Sequence, residues 1–429
     1  MKPELPAGTE LSRRRFMAGG GLAAASILAG ARAPRAAEAG TLRVGLVGCG
    51  GRGTGAAAQA LAADKNVQLT AMGDLFPDRL EISLSTLQTQ EVAPKVDVPP
   101  ARRFTGFDAY KRVIEHSDVV LLATPPHFRP MHLAAAVAAG RHVFAEKPVA
   151  VDAPGVREVL ARCAEAREKR LAVVSGLCLR FAPGYVEMVR RIRGGAIGEI
   201  HTLQANDFRG PIWVKPRQPG QTEMEYQLRN WYYFTWLSGD FNVEQHVHML
   251  DLCSWVMGDE YPASAIGTGG RQVRNGPDHG NIYDHHAVIY EYAGGARLFA
   301  TCRQQAGCAS EISATVRGSK GAAFFSHKGS WIEVGGKREL FEGEGDNVYQ
   351  LEHDALFDSI RRGQPLNHGG YMSHSTLMAV LGRMATYTGQ KVTWRQALES
   401  AEALLPSAYD WNAEPPPAEI AIPGVTKLA

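Results

Sequence analysis

The chain has 429 residues, with 46 Lys and Arg against 44 Asp and Glu and a formal charge of +2. The first 39 residues carry six of those cations and three of the anions, a net +3, so the remainder stands at −1. No basic surplus is left to hold a nucleic acid, and the 390 residues that follow suggest two domains rather than one.

Residues 1–39 read as a targeting segment. Ser12-Arg13-Arg14-Arg15-Phe16-Met17 has the twin-arginine pattern, a weakly apolar run follows over 17–31, and Ala37-Glu38-Ala39 offers a small-x-small cleavage site. This predicts export of an already folded protein to the periplasm, with cleavage near Ala39. The run is too short and glycine-rich to span a bilayer, and no later stretch is apolar enough, so no stable membrane anchor is expected. An oxidising compartment permits disulfides. Cys302 and Cys308 could pair, while Cys49, Cys163, Cys178 and Cys253 read as buried thiols.

Residues 40–150 alternate short apolar runs with helical patterns. The strand expected over 42–47 feeds Gly48-Cys49-Gly50-Gly51-Arg52-Gly53, and a helix is expected over 55–63. In that strand–loop–helix setting the GxGxxG pattern predicts a dinucleotide site. Gly48 allows the tight turn, Gly50 lets backbone approach a pyrophosphate, and Gly53 lets helix and strand pack closely. Gly51 and Arg52 open the helix, whose free N–H groups face the phosphates. The next strand, 67–72, leads to Asp74, 21 residues beyond Gly53. A carboxylate there accepts from a ribose hydroxyl and repels a 2′-phosphate, which favours NAD over NADP. A strand over 118–124 is stopped by Pro125-Pro126. A helix over 131–140 and a strand over 142–145 follow, closed by Glu146-Lys147-Pro148. Thr124, Pro125, His127, Glu146 and Lys147 thus fall beyond the carboxyl ends of strands, where open parallel sheets bind ligands.

The glycine loop, Ala123-Thr124-Pro125-Pro126, His132, Ala139-Gly140-Arg141-His142-Val143 and Glu146-Lys147-Pro148 together resemble the Gfo/Idh/MocA family of oxidoreductases. The resemblance spans roughly 42–400. It implies an α/β fold, a Rossmann doubly wound parallel sheet followed by an α/β domain with a large, mostly antiparallel sheet.

The second domain is expected over 151–404, opening with a crossover helix over 151–170 and a strand over 172–177. Arg180-Phe181-Ala182-Pro183 and residues 194–200 resemble the family's passage into that domain, and Arg180 is a candidate substrate contact. Segment 210–230 reads either as an insertion over the cleft or as a mobile surface loop. Trp231 and Tyr232, in an aromatic-rich run, suit a sugar-binding wall or an interface equally. In Glu244-Gln245-His246-Val247-His248, a helix would put Glu244 and His248 on one face, the carboxylate favouring a protonated imidazole. The resemblance implies that Lys147 polarises the substrate oxygen, that Glu244 stands where the family carries Asp, and that His248 is the acid/base. His246 is additional. An extended backbone would let Glu244, His246 and His248 meet Asp284, His285 or His286 around a metal, although no diagnostic spacing supports one, and a buried structural histidine pair is the third alternative. His285 is a further substrate candidate. A hairpin is expected from 287–292 and 297–303 around Gly294-Gly295, a family turn at 316–321, helices over 353–360 and 376–387 that return to pack near the first domain, and a Pro-rich arm over 405–429 lying on a neighbouring subunit.

These features support an enzyme that moves a hydride between NAD and a secondary alcohol of a sugar, sugar derivative or polyol. Export argues that the cofactor is retained and recycled. A redox-neutral NAD-dependent glycosidase or lyase is the alternative, a non-catalytic sugar-binding protein the third. A homo-oligomer, dimer or tetramer, is expected.

Overall fold

In the first sheet, buried apolar runs make the strands. β1 (Leu42–Val47) buries five of its six residues, and β4 (Val119–Leu122) buries all four, the pattern of strands covered on both faces. With β2 (Val67–Asp74), β3 (Arg103–Thr105), β5 (His142–Ala145) and β6 (Val173–Ser175) they form a parallel sheet in the order β3-β2-β1-β4-β5-β6. The order reverses beside β1, which places a crevice at the carboxyl ends of β1 and β4. The computed structural model describes residues 40–341 and 347–428. The twin-arginine segment and its cleavage site lie outside the described residues.

The second sheet has nine strands: β7 (Ile200–Arg209), β8 (Ser264–Gly270), β9 (His285–Glu291), β10 (Arg297–Gln304), β11 (Glu311–Gly318), β12 (Gly321–Phe325), β13 (Ser330–Val334), β14 (Lys337–Phe341) and β15 (Val392–Thr393). Their order is β14-β13-β12-β11-β7-β10-β9-β8-β15, antiparallel except where β10 runs parallel to β7. β9 alternates buried and part-exposed residues along its whole length, so one face is core and the other faces outward.

Most expected elements form with shifted ends. The glycine-loop helix begins at Gly51 rather than 55, and β2 runs on to include Asp74. The crossover helix is Ala153–Glu168, its amino terminus capped by Asp152, which accepts from Gly155 N at 2.8 Å. The late helices are longer than expected, Val348–Arg361 and Gly369–Thr388. The first of these returns to the parallel sheet. Leu356, Phe357 and Ile360 join its core, and Arg361 pairs with Asp64 at 2.7 Å. No helix among the described residues is long and apolar enough to cross a membrane.

The C-terminal arm, expected on a neighbour, packs on its own chain. Trp411 lies 4.9 Å from Phe107 and 5.5 Å from Phe76, and Tyr283 OH donates to Ala421 O at 2.9 Å. The aromatic rings that end β2 and β3 leave an apolar edge, which the arm covers.

Candidate active site

The glycine loop is shaped by what it excludes. Gly48 has φ +95°, and a Cβ there would sit 2.6 Å from Ala123 C. A Cβ on Gly53 would sit 1.9 Å from Gly48 O. Gly50 and Gly51 meet nothing within 4 Å, so their backbone faces open space. Gly50 caps the helix with no side-chain hydrogen bond, which leaves its first N–H groups free for an anion. Asp74 braces the loop: Oδ2 accepts from Cys49 N at 2.6 Å and Oδ1 from Phe76 N at 2.9 Å. Each oxygen keeps a lone pair for a ribose hydroxyl. Gly48, Gly50, Gly51, Arg52, Gly53, Asp74, Thr124 and Pro125 line one cavity of about 480 Å³. These residues fit a dinucleotide, with the loop against its diphosphate and Asp74 at a ribose.

Two cofactor candidates stand behind this wall instead of in it. His127 is buried, its Nε2 2.9 Å from Tyr409 OH and its ring edge-on to Trp236, so it anchors the arm. Glu146 is buried and holds Arg52, with Oε1 2.8 Å from Nε. The Arg52 guanidinium also lies 4.9 Å over the Tyr349 ring. Trp231, read as either a sugar-binding wall or an interface, lines the dinucleotide cavity.

Lys147 meets Glu244, as side chains that are each 13% exposed. Its Nζ donates to Glu244 O at 2.6 Å and to Oε1 at 3.0 Å. The carbonyl is available because the one-turn helix Phe241–Glu244 ends there, and a new helix, Val247–Val256, starts after Gln245 and His246. The expected Glu244–His248 dyad on one helical face therefore does not form. His248 Nδ1 is buried without a hydrogen-bond partner. Burial, then the Lys147 and Arg209 cations, hold the imidazole well below its ordinary range, so it is neutral, not protonated as a carboxylate neighbour would make it.

His248 opens onto a cavity of about 290 Å³, lined also by Arg209, Gln245, Tyr185, Tyr349 and His327. That is at the small end of ligand cavities, roughly 300–1,000 Å³. Arg209 pairs with buried Asp207, whose carboxyl is raised by burial against the opposing pull of Arg209 and Lys147. None of Asp207, Arg209, Gln245, His327 and Tyr349 stands out in sequence. Their only signal is the alternation of β7, which puts Asp207 and Arg209 on one face.

The remaining candidates are engaged elsewhere. Arg180 is clamped by Asp251 and Asp259, each at 2.8 Å, and stacks 3.9 Å over Tyr371. Tyr232 is buried and accepts from Gln304 Nε2 at 2.8 Å. His246 is buried beside Asn242, its Nδ1 3.2 Å from Oδ1. His285 lies at the start of β9 beside Asp284, 2.7 Å away, whereas His286 is buried against Asp240 and Thr386. Among the described residues, no three His, Cys, Asp or Glu gather as a metal site. Cys302 is buried and Cys308 exposed, and they are not bridged.

Comparisons with known proteins agree with this geometry. Residues 42–175 match the oxidoreductase family with an NAD-binding Rossmann fold, and 185–324 match the GFO/IDH/MocA C-terminal domain. An inositol 2-dehydrogenase of Cereibacter sphaeroides is 27% identical over 269 residues, 61% of this chain and 68% of that protein. A trans-1,2-dihydrobenzene-1,2-diol dehydrogenase of Bos taurus is 28% identical over 241 residues, 55% of this chain and 62% of that one. In fold, levoglucosan dehydrogenase in complex with NADH and L-sorbose superposes with a TM-score of 0.66 at 17% identity, covering 83% of this chain and 99% of that one. The aldose-aldose oxidoreductase of Caulobacter crescentus gives 0.63 at 19% identity, covering 82% and 99%. The glycine cradle, the two sheets and both family matches make this chain a member of the Gfo/Idh/MocA family of NAD-dependent oxidoreductases.

Proposed function

We propose that the protein oxidises or reduces a secondary alcohol of a sugar, sugar derivative or polyol, in the 290 Å³ cavity beside His248. The observation that carries this reading is the wall shared by the two cavities. Arg52 lines the dinucleotide side, Tyr349 beneath it lines the His248 side, and just past β5 Glu146 holds Arg52 while Lys147 pairs with Glu244. The nicotinamide, when bound, supplies the hydride acceptor or donor. Lys147 donates a hydrogen bond to the substrate oxygen and stabilises the charge that develops on it. Glu244 holds Lys147 in place through carbonyl and carboxylate. Neutral His248, with Nδ1 unpartnered, accepts the hydroxyl proton in the oxidative direction and returns it in the other. The relatives' names, inositol and diol dehydrogenases, support a polyhydroxylated ring as substrate.

The twin-arginine pattern supports export to the periplasm of a folded protein already carrying NAD, retained and reset within each cycle. Ile266 and Phe299, 42% and 40% exposed, lie on one outward face of the nine-stranded sheet and support a second copy there, which light scattering would test.

The direct test is NADH formation by the purified protein across a panel of inositols, aldoses and cyclic diols. At least one is expected to turn over, and Lys147→Met is expected to slow it about 10²–10³-fold with the melting temperature preserved. A cofactor-loaded protein inert to the whole panel contradicts the reading. Release of an aglycone from an aryl glycoside without net NADH would assign the redox-neutral cleavage instead.

A further inference from the structure

Residues 210–221 contain no regular secondary structure, yet the segment is pinned to the rest of the fold at three points and braced by one bond of its own. Lys215 N donates to Asn230 Oδ1 at 2.9 Å and Arg217 N to Asp278 Oδ1 at 3.2 Å. Gln218 N donates to Gln221 Oε1 at 2.9 Å, and Tyr233 OH to Ile212 O at 3.3 Å. The anchors are themselves fixed. Asn230 is fully buried and donates to Asp278 O at 2.8 Å, and Asp278 also accepts from Tyr226 OH at 2.9 Å. The Arg217 guanidinium lies 4.4 Å over the Tyr226 ring. The insertion is a preorganised wall, its backbone held by buried Asn230 and Tyr233 and by half-buried Asp278, not a free loop.

That wall faces the glycine loop. Trp213 and Lys215 line the 480 Å³ dinucleotide cavity, and Lys215 also lines a neighbouring cavity of about 650 Å³. Both cavities share Gly50, Gly51, Arg79 and Lys215, so they meet at the uncapped start of the 13-residue helix Gly51–Ala63. Lys215 forms no ion pair among the described residues, and Arg79 has no carboxylate within salt-bridge distance, although its charge acts on Asp74 and Asp78. Of the carboxylates nearby, Asp74 accepts from two backbone N–H groups and Asp78 pairs with Arg229 at 3.2 Å. Lys215, which has no ion-pair partner, with Arg79 beside it above free helix N–H groups, leaves a positive gap where the diphosphate belongs.

We propose that Lys215, carried by the second domain, closes over the cofactor's diphosphate and with Arg79 forms a cationic lid that slows NAD release. A Rossmann glycine loop alone supplies only backbone dipoles; here a side chain from outside that domain adds a full charge. The lid thereby couples cofactor retention to the seating of the second domain.

The test uses the full mature protein with Lys215→Met and Lys215→Arg, measuring the dissociation constant of NAD, the release rate of NADH and, as a probe without phosphates, the binding of adenosine. Lys215→Met is expected to release NADH at least about tenfold faster and to show a weaker dependence of NAD affinity on salt. Lys215→Arg is expected to stay near wild type, and adenosine to bind all three alike. Unchanged NAD binding in Lys215→Met overturns the proposal, and so does an equal loss of adenosine binding, which would mark a purely structural role. A wild-type protein that turns over no sugar yet shows the expected pattern removes the activity proposed above and leaves the lid standing.

Discussion

Lys147 is held by one residue through two different atoms, and those atoms can be separated experimentally. Glu244→Gln keeps the backbone carbonyl at 2.6 Å but removes the carboxylate charge at 3.0 Å. Turnover is expected to fall about 10–100-fold with Lys147 still in place, whereas Lys147→Met removes the oxygen-stabilising cation and costs about 10²–10³ in kcat. Equal losses in the two variants would show that Glu244 acts beyond positioning. His248 makes a separate prediction. Its pKa is depressed by burial and by Lys147 and Arg209, so it is deprotonated throughout the neutral range and its acid limb lies well below 6.5. The kcat/KM for oxidation is therefore expected to show no His248 inflection between about pH 6 and 8. An acid limb near 6.5 that disappears in His248→Asn would contradict a neutral buried imidazole. Spacing suggested Glu244 and His248, and the family resemblance supplied the expected roles of Lys147 and His248. Their pairing was not legible, because Asp240 takes φ +76°, accepts from Phe241 N and starts a one-turn helix that ends at Glu244, short of His248. That conformation is held by Tyr387 OH and Tyr283 N, far along the chain, so tertiary contacts override the local helical period.

At the scale of elements, the glycine loop separates stability from binding. Gly53→Ala forces a Cβ within 1.9 Å of Gly48 O and is expected to lower the melting temperature sharply. Gly50→Ala meets nothing within 4 Å at an ordinary φ of −72°, so the fold is expected to tolerate it. The added methyl instead blocks backbone approach to the diphosphate, and NAD affinity should fall about tenfold or more. Thermal melts and NAD titrations of the two variants check this contrast; a Gly50→Ala protein binding NAD as wild type does would place the diphosphate elsewhere. The loop was legible because its demands are local, a strand, a turn and a helix start within twelve residues of β1 and its neighbour. The arm was not. Pro-rich composition identified an extended segment but not its berth, which depends on Phe76 and Phe107 meeting Trp411 across the fold. Trp411→Ala should cost about 1–3 kcal/mol and expose the arm to proteolysis. Unchanged stability and cleavage would mean the arm is not seated there in solution.

At the scale of the whole molecule, buried neutral histidines set an acid limit. Burial holds His127 at about 4 and His132 and His246 at about 3. Each has an unfolded value near 6.5, so its contribution is complete above that pH and is lost as pH falls toward the folded value. At pH 5 each costs about 2 kcal/mol relative to pH 7. The melting temperature is expected to drop by about 5 °C or more between pH 7 and 5, and a flat profile would contradict the burial of these rings as neutral groups. The two-sheet architecture was readable from the alternating segments and the family motifs together. They also anticipated that the late helices return toward the first domain, as Val348–Arg361 does; what they could not give is Tyr349 at the start of that helix, lying under Arg52 and lining the His248 cavity. The wall between the two cavities is the centre of the account, and the most direct test of it is single-turnover NADH formation with a cyclitol deuterated at the reacting carbinol carbon. The account predicts a primary isotope effect in the wild-type protein and loss of the chemical step in Lys147→Met with NAD still bound. NADH formed equally well by Lys147→Met would contradict it.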